Sequence, residues 1–525
     1  MKQKICKKEV IMLAIVILIQ TAVFIVAGMN KSYMHMDEAF SLGLANYDTI
    51  KIQNNEDFYN TWHNGEYYKD YLVVNEDEKW DFSPVYINQK NDVHPPLYYL
   101  LLRIAMNFHI DKFSIWSGVV VNIIIYVFIT IFTYLIMRKL LEGKNKYKEK
   151  SAVFALVSSL LVSSINSAIY IRMYALSTLN VLITTYLHFK LLDSKESDKK
   201  LLFCIGLSAL IGSLTHYYYL FYLAMLFIMF TFRYLKNKEY KEWAKYFGTF
   251  AIAGVLSILI FPYSIKHMFF EYRGKGAIDN ISHIARFVRC IGHYIIKINW
   301  YTFHNLLFAI ILAILAIYIY KKCQKIKVVE EKSKYIKYLI FPSLFYFLLV
   351  AISSPWIELR YITPICGIVF MVVMFYLEEV LNNILTEKAL NVVFTIVFIV
   401  MLIMPFALHI KVQEMYIDKK EIVQKFESEF NVPTLYMARS KGVRFLDDIL
   451  LFSKIDESYV AEGIDCTEEN IQSIMKGKDL SKGMIVFINY KEKNSEMVEI
   501  IRKALNLEQA THIKQMNACN IYYLK

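Results

Sequence analysis

"EVIMLAIVILIQTAVFIVAG", residues 9–28, is followed at once by "MNKSYMHMDEAF", residues 29–40. The first string offers about 20 nearly continuous apolar residues, enough at 1.5 Å each to cross roughly 30 Å of hydrocarbon, and it has no small-residue cleavage site. It reads as a retained membrane anchor. The second string then sets two adjacent carboxylates, Asp37 and Glu38, where the bilayer surface should begin.

The remaining sequence repeats the first signal. The chain has 525 residues, 56% of them hydrophobic and 15% aromatic, with a positive mean hydropathy. That is more apolar than a soluble core requires. Further spans are expected at 114–137, 151–168, 175–192, 201–216, 218–233, 246–264, 300–320, 337–353, 361–380 and 389–408, about eleven in all. The expected fold class is mainly α: a polytopic transmembrane bundle with a small extracytoplasmic α/β domain at the C-terminus.

Lys and Arg orient the bundle, because they accumulate in short cytoplasmic loops. "MKQKICKK", "RKLLEGKNKYKEK", "KLLDSKESDKK", "RYLKNKEYKEWAK" and "KKCQKIKVVEEKSKYIK" fall on one side with the N-terminus. The net charge of +12 therefore reports topology, and no module for nucleic acid is visible. On this reading the loop 29–113, the loop 265–299, the short loop around Arg360 and the tail 409–525 lie outside.

The domain division expected from composition is 1–410, a membrane domain that includes the outer loop 29–113, and 411–525, a soluble α/β domain. In the latter, "VPTLYM", "GMIVFINY" and "CNIYYLK" read as strands, while "KGVRFLDDILLFSK" and "NSEMVEIIRKALNLE" have apolar residues at helical spacing. "HPPLYYLLLRIAMNFHI", 94–110, is short for a span, and Arg103 and His109 make it amphipathic, so it is placed along the outer interface. Of the seven cysteines, only a Cys466–Cys519 disulfide comes into question outside, and no pair has zinc-site spacing.

Ionisable groups near a bilayer cost free energy and persist where something uses them. The topology gathers Asp37, Glu38, His94, Arg172, His216, Arg273 and Arg360 at the outer face. Each has a plain structural alternative. Asp37 and Glu38 would suit a solvated helix N-terminus, and His94 a rigid proline-led helix entry. Arg172 could snorkel to headgroups. His216 could sit in an aromatic belt with Tyr98 and Tyr99, and Arg360 could pair with Glu358. Together these alternatives would require several costly groups to share one face by accident.

In this combination the sequence resembles the GT-C superfamily of polytopic glycosyltransferases, in particular bacterial relatives of protein O-mannosyltransferases and aminoarabinose transferases. The matching residues are Asp37-Glu38-Ala39, His94-Pro95-Pro96-Leu97-Tyr98-Tyr99, Arg172-Met173-Tyr174-Ala175-Leu176, Thr215-His216-Tyr217, and Arg360-Tyr361 with Pro364. The resemblance implies transfer of a sugar from a polyprenyl-phosphate donor to a glycan, lipid or protein acceptor at the outer face of the cytoplasmic membrane. Asp37 would be the general base, supported by Glu38, with inversion at the anomeric carbon. His94, Arg172, Tyr174, His216, Tyr217, Arg360 and Tyr361 would bind the donor phosphate. A divalent cation, Mg or Mn, is considered at Asp37 and His94. The stretch "ALSTLN" lacks the acidic residue that some of these transferases carry there. The alternatives are a transporter or lipid flippase of a cell-envelope glycan pathway, and a surface assembly protein without catalysis.

Overall fold

A computed structural model describes residues 6–46, 58–194, 198–324, 334–382, 384–438, 443–489 and 491–525. The chain divides into two compact units, one of residues 1–28, 89–98 and 119–413, the other of 29–88, 99–118 and 414–525.

The first unit is helical. Among the described residues, six helices are long and apolar enough to cross a membrane: Lys7–Met29, Trp116–Leu140, Tyr219–Lys236, Tyr240–Ile260, Thr363–Asn382 and Glu387–Ala407. A seventh span results if Tyr147–Leu160 and Val162–Ile169, bent by 62° at their junction, count as one. The chain is thus a multi-pass membrane protein by its helices, with six or seven such spans where eleven were expected.

The shortfall has two physical sources. Lys199–Ser213, Leu307–Cys323 and Lys337–Ser353 have 15, 17 and 17 residues, giving about 22 to 26 Å of rise against roughly 30 Å of hydrocarbon. Tyr174–Asp193 is long enough but buries Ser177, Thr178, Asn180, Thr184, Thr185 and His188, which dilute its hydropathy.

The basic stretch 138–150 compensates buried carboxylates. Glu9, its side chain 1% exposed, meets Arg138 at 2.9 Å and Lys148 at 3.1 Å, and Tyr134 donates to it at 2.7 Å. Glu378 meets Lys144 at 3.1 Å and Lys150 at 2.8 Å. Two carboxylates that would be costly alone are compensated by charges from that one stretch, which ends one helix and begins the next.

The second unit holds a six-stranded mixed sheet in the order β1-β3-β2-β4-β6-β5. The strands are β1 Trp62–His63, β2 Thr434–Ala438, β3 Ser458–Glu462, β4 Met484–Asn489, β5 Ala510–Gln515 and β6 Cys519–Leu524. β2 runs parallel to β3 and β4, while β6 runs antiparallel to β4 and β5. Leu435, Val486 and Ile488 pack against Val498 and Ile501 of the helix Asn494–Ala504. At the sheet's edge, β1 comes from the segment after the first span and pairs with β3.

The stretch expected as one helix at 441–454 is instead a 3₁₀ turn, Val443–Asp447, and a short helix, Ile449–Phe452; residues 441 and 442 lie outside the described residues. No disulfide joins Cys466 and Cys519.

Residues 29–46 and 58–118 contain several buried polar groups. Arg103, fully buried, donates to Asn46 Oδ1 at 2.6 Å, to the Glu78 carbonyl at 2.7 Å and to the Asp81 carbonyl at 3.1 Å. It pins a loop instead of reaching water from an interfacial helix. Tyr98 and Tyr99 are likewise fully buried, so they are core residues and not belt aromatics. Gly43 lies so close to Tyr71 that a Cβ there would fall 2.2 Å from the ring. Only glycine permits that approach.

Candidate functional site

The "MDEA" string forms the first turn of the helix Met36–Leu44. His35 is its N-cap. The His35 Nδ1 accepts the Asp37 N–H at 3.0 Å, while Glu38 reaches back to the His35 N–H at 2.9 Å. This is a capping box with histidine in the place usually held by Ser or Thr. Adjacent residues on a helix face different ways, and the two carboxylates separate accordingly. Glu38 is fully buried and pairs with the equally buried Lys31 at 3.0 Å. Asp37 keeps 19% of its side chain exposed, with Oδ2 at 3.6 Å from His35 Nδ1. Neither points into bulk solvent.

A buried pair is far weaker when one partner is removed, since the remaining charge stays desolvated. Lys31→Met is expected to destabilise the unit by about 3 to 5 kcal/mol, read as a lower thermal unfolding midpoint in detergent. Adding Glu38→Gln should restore much of the loss, because the amide keeps the His35 contact without a charge.

Around this helix entrance lies an acidic group that sequence reasoning missed. Asp447 Oδ1 accepts the Met36 N–H at 3.0 Å, and Asp448 Oδ1 accepts the Tyr33 hydroxyl at 2.8 Å. Asp448 is fully buried, and its Oδ2 has no hydrogen-bond partner among the described residues. Burial first, and then the charge of Asp447, push its carboxyl up to about 7 against the opposing Tyr33 bond and Lys419. An acid with a higher pKa folded than unfolded binds its proton more tightly when folded. Its contribution to stability is complete below the unfolded value of about 3.9 and is lost as the pH rises through 7. Asp448→Asn, which still accepts from Tyr33, should flatten that loss. At pH 8 it should be the more stable protein by roughly 4 kcal/mol, measured by thermal unfolding across pH 4 to 8.

The other expected site residues belong to the helical unit. Asp92 and His94 sit just before the helix Leu97–Met106, where Pro95 and Pro96 lead into it. The His94 Nδ1–H donates to Asp92 Oδ2 at 2.6 Å, which leaves Nε2 for another partner. Burial raises the Asp92 carboxyl, but the His94 charge and hydrogen bond, with Arg172, outweigh it and hold the group below its usual value. For His94, burial outweighs Asp92, and with Arg172 and Arg273 pushes the imidazole below its usual value.

Arg172 is 5% exposed and lies in the tight turn between Val162–Ile169 and Tyr174–Asp193, where its N–H bonds to the Tyr170 carbonyl at 2.7 Å. His216 lies in the turn before Tyr219–Lys236. Its Nδ1 accepts the Tyr218 N–H at 3.1 Å, so its proton is on Nε2. The His94 and His216 rings are 6.4 Å apart, and Tyr174 lies 5.5 Å from His216 and 6.1 Å from Tyr361. Arg360 donates to the Tyr170 hydroxyl at 2.9 Å and packs over Tyr361, while Glu358 pairs with Lys297. The Tyr217 hydroxyl meets His267 Nδ1 at 3.0 Å; His267 was not singled out from sequence.

Thus His94, Arg172, Tyr174, His216, Tyr217, Arg360 and Tyr361 fall in one unit, linked through short contacts and the field of Asp92. Such a group of cations and donors suits an anion. Among the described residues no three His, Cys, Asp or Glu side chains converge to hold a metal ion.

No protein-family model matches the sequence, and no curated protein matches it. Solved structures do. The crystal structure of ArnT from Cupriavidus metallidurans bound to undecaprenyl phosphate is 7% identical, with 97% of each chain covered and a TM-score of 0.50. The apo form of that protein is 8% identical over 96% of this chain and 97% of its own, at 0.46. The Archaeoglobus fulgidus oligosaccharyltransferase tethered to an acceptor peptide is 10% identical over 98% of this chain and 74% of its own, at 0.47. Over nearly its whole length, the chain therefore shares the fold of ArnT.

Proposed function

We propose that the protein is a membrane glycosyltransferase that moves a sugar from a polyprenyl-phosphate donor to a glycan, lipid or protein acceptor at the outer face of the cytoplasmic membrane. One observation carries this reading. Cationic and hydrogen-bonding side chains from separate turns meet around Asp92, in a fold shared with a structure that holds undecaprenyl phosphate.

In this reading Asp37 takes the proton from the acceptor hydroxyl as its oxygen attacks the anomeric carbon. The bond from that carbon to the phosphate oxygen breaks, and the phosphate leaves with the bonding pair. One base and one displacement give inversion. Arg172, Arg360 and His94 stabilise the charge that grows on the departing phosphate, with Tyr174, His216, Tyr217 and Tyr361 as hydrogen-bonding and packing partners. Glu38, locked to Lys31, supports Asp37 by fixing the helix entrance. The orientation follows the basic loops, with the N-terminus inside and residues 411–525 outside, and Tyr174–Asp193 together with the three shorter helices brings the seven spans to eleven.

The test is to offer purified protein a panel of labelled undecaprenyl-phosphate sugars (mannose, glucose, galactose, arabinose and 4-amino-4-deoxyarabinose) with membrane extract as the acceptor source. Acceptor-dependent release of undecaprenyl phosphate supports the reading; no release from any donor overturns it.

One feature favours a second reading, a transporter or lipid flippase. The 62° break at Leu161 borders a cavity framed by Thr130, Ser158, Ser163, Thr178 and Thr363, and broken helices with polar linings are how transporters build sites. A flippase would move the labelled lipid across a vesicle bilayer without splitting it.

A further inference from the structure

We infer that Asp447 is a positioning residue for Asp37, so that the C-terminal α/β part of the second unit acts in the reaction as the seat of the base. This rests on the reading of Asp37 as that base.

The segment Lys31–His35 has no regular secondary structure, and its polar groups are taken up by two short stretches near the sheet. The Ser32 N–H bonds to the Met415 carbonyl at 2.9 Å, Lys31 Nζ to the Glu414 carbonyl at 2.7 Å, and Ser32 Oγ to the Tyr416 carbonyl. The Tyr33 hydroxyl bonds to Asp448. The last of these contacts is the Met36 N–H to Asp447 at 3.0 Å. It falls on the amide immediately before Asp37, at the first position of the helix. An N–H there has no partner within its own helix, and the N-cap side chain reaches only the second or third amide, as His35 reaches Asp37. Here the acceptor arrives from 411 residues further on.

Fixing that amide plane fixes the direction in which the next residue leaves the helix entrance, and hence the aim of the Asp37 carboxylate. Asp447 is itself held by the Asn517 side chain and faces His35 and Asp37. Asp448, Lys419, Tyr33, Tyr416 and Tyr436 are the other charged and titratable groups around it. Setting a carboxylate beside Asp37 and Asp448 costs electrostatic free energy. An amide or hydroxyl would satisfy one N–H without that cost if capping were the sole need.

The experiment measures kcat and donor KM, with the donor that the wild-type protein turns over, for Asp447→Ala, Asp447→Asn, Tyr33→Phe and Asp37→Asn in parallel. Displacing a reacting group by about 1 Å costs on the order of 10²-fold. Asp447→Ala should lose about that factor in kcat with donor KM unchanged, at an unfolding midpoint that shows folded protein. Asp447→Asn keeps an oxygen for Met36 and an amide for Asn517, and should recover most of the rate. Tyr33→Phe removes only one hydroxyl from the neighbouring clamp and should lower kcat by about tenfold, which keeps the inference testable if the alanine variant does not fold. Wild-type kcat in both Asp447→Ala and Tyr33→Phe, alongside an inactive Asp37→Asn, overturns the positioning role and leaves the base standing. Full activity in Asp37→Asn overturns the base itself.

Discussion

Asp37→Asn should lose 10² to 10⁴-fold in kcat, about 3 to 5 kcal/mol of barrier, which is what a positioned carboxylate base contributes. Donor KM should stay close to wild type, because in the proposed mechanism the side chain acts on the acceptor's proton and not on the donor lipid. Expression, membrane insertion and the unfolding midpoint should also persist. The bonds that hold the helix entrance run through Lys31, Glu38, His35 and Asp447, and asparagine matches aspartate in shape. Initial rates of undecaprenyl phosphate release check this, and wild-type turnover in the variant removes Asp37 from the mechanism. Glu38→Gln provides the contrast: stability falls, because Lys31 is left as a buried unpaired charge, while the base survives. Two carboxylates adjacent in sequence thus give opposite signatures, one in rate and one in folding.

That division was not legible in the sequence. "DE" presents two equivalent acids, and only the partner six residues upstream of Asp37, Lys31, and the histidine cap tell them apart. The apolar runs, in contrast, read directly: residues 9–28 lie within the helix Lys7–Met29, because a membrane span is local and its signal is additive along the chain. Length and composition leave a helix uncounted where that signal is averaged away, as in Tyr174–Asp193 with its buried Ser, Thr, Asn and His. The basic loops were read as orientation alone, although Lys144, Lys148 and Lys150 also neutralise buried Glu378 and Glu9.

Long-range contacts explain the remaining omissions. Asp92 stands two residues before the HPP motif as an ordinary loop acid, and only its bond to His94 marks it. Asp447 and Asp448 were absorbed into an expected helix because the apolar residues around them recur at helical spacing. The backbone breaks there into a 3₁₀ turn and a short helix, and both side chains are used at the entrance to Met36–Leu44. β1 has two residues, too few for any alternation to show, and its pairing with β3 joins segments nearly 400 residues apart.

Arg172→Gln should cost 10² to 10³-fold in kcat/KM, comparable to removing one donor from a preorganised anion site. The guanidinium is almost entirely withdrawn from water, so its charge acts in a medium where it is worth far more than at a surface. It lies within the field of Asp92 and His94. In the proposed mechanism the phosphate binds in the ground state and gains charge as it leaves, so the loss should be divided, with donor KM rising and kcat falling. Arg172→Lys keeps the charge but not the planar fork, and should recover only part. Arg360→Gln should cost less, since Arg360 is partly exposed and already donates to Tyr170. Inhibition by free undecaprenyl phosphate separates binding from indirect damage, because that product carries the phosphate without the sugar. In Arg172→Gln its inhibition constant should weaken together with donor KM. A variant that is slow yet inhibited as strongly as wild type would place Arg172 away from the phosphate.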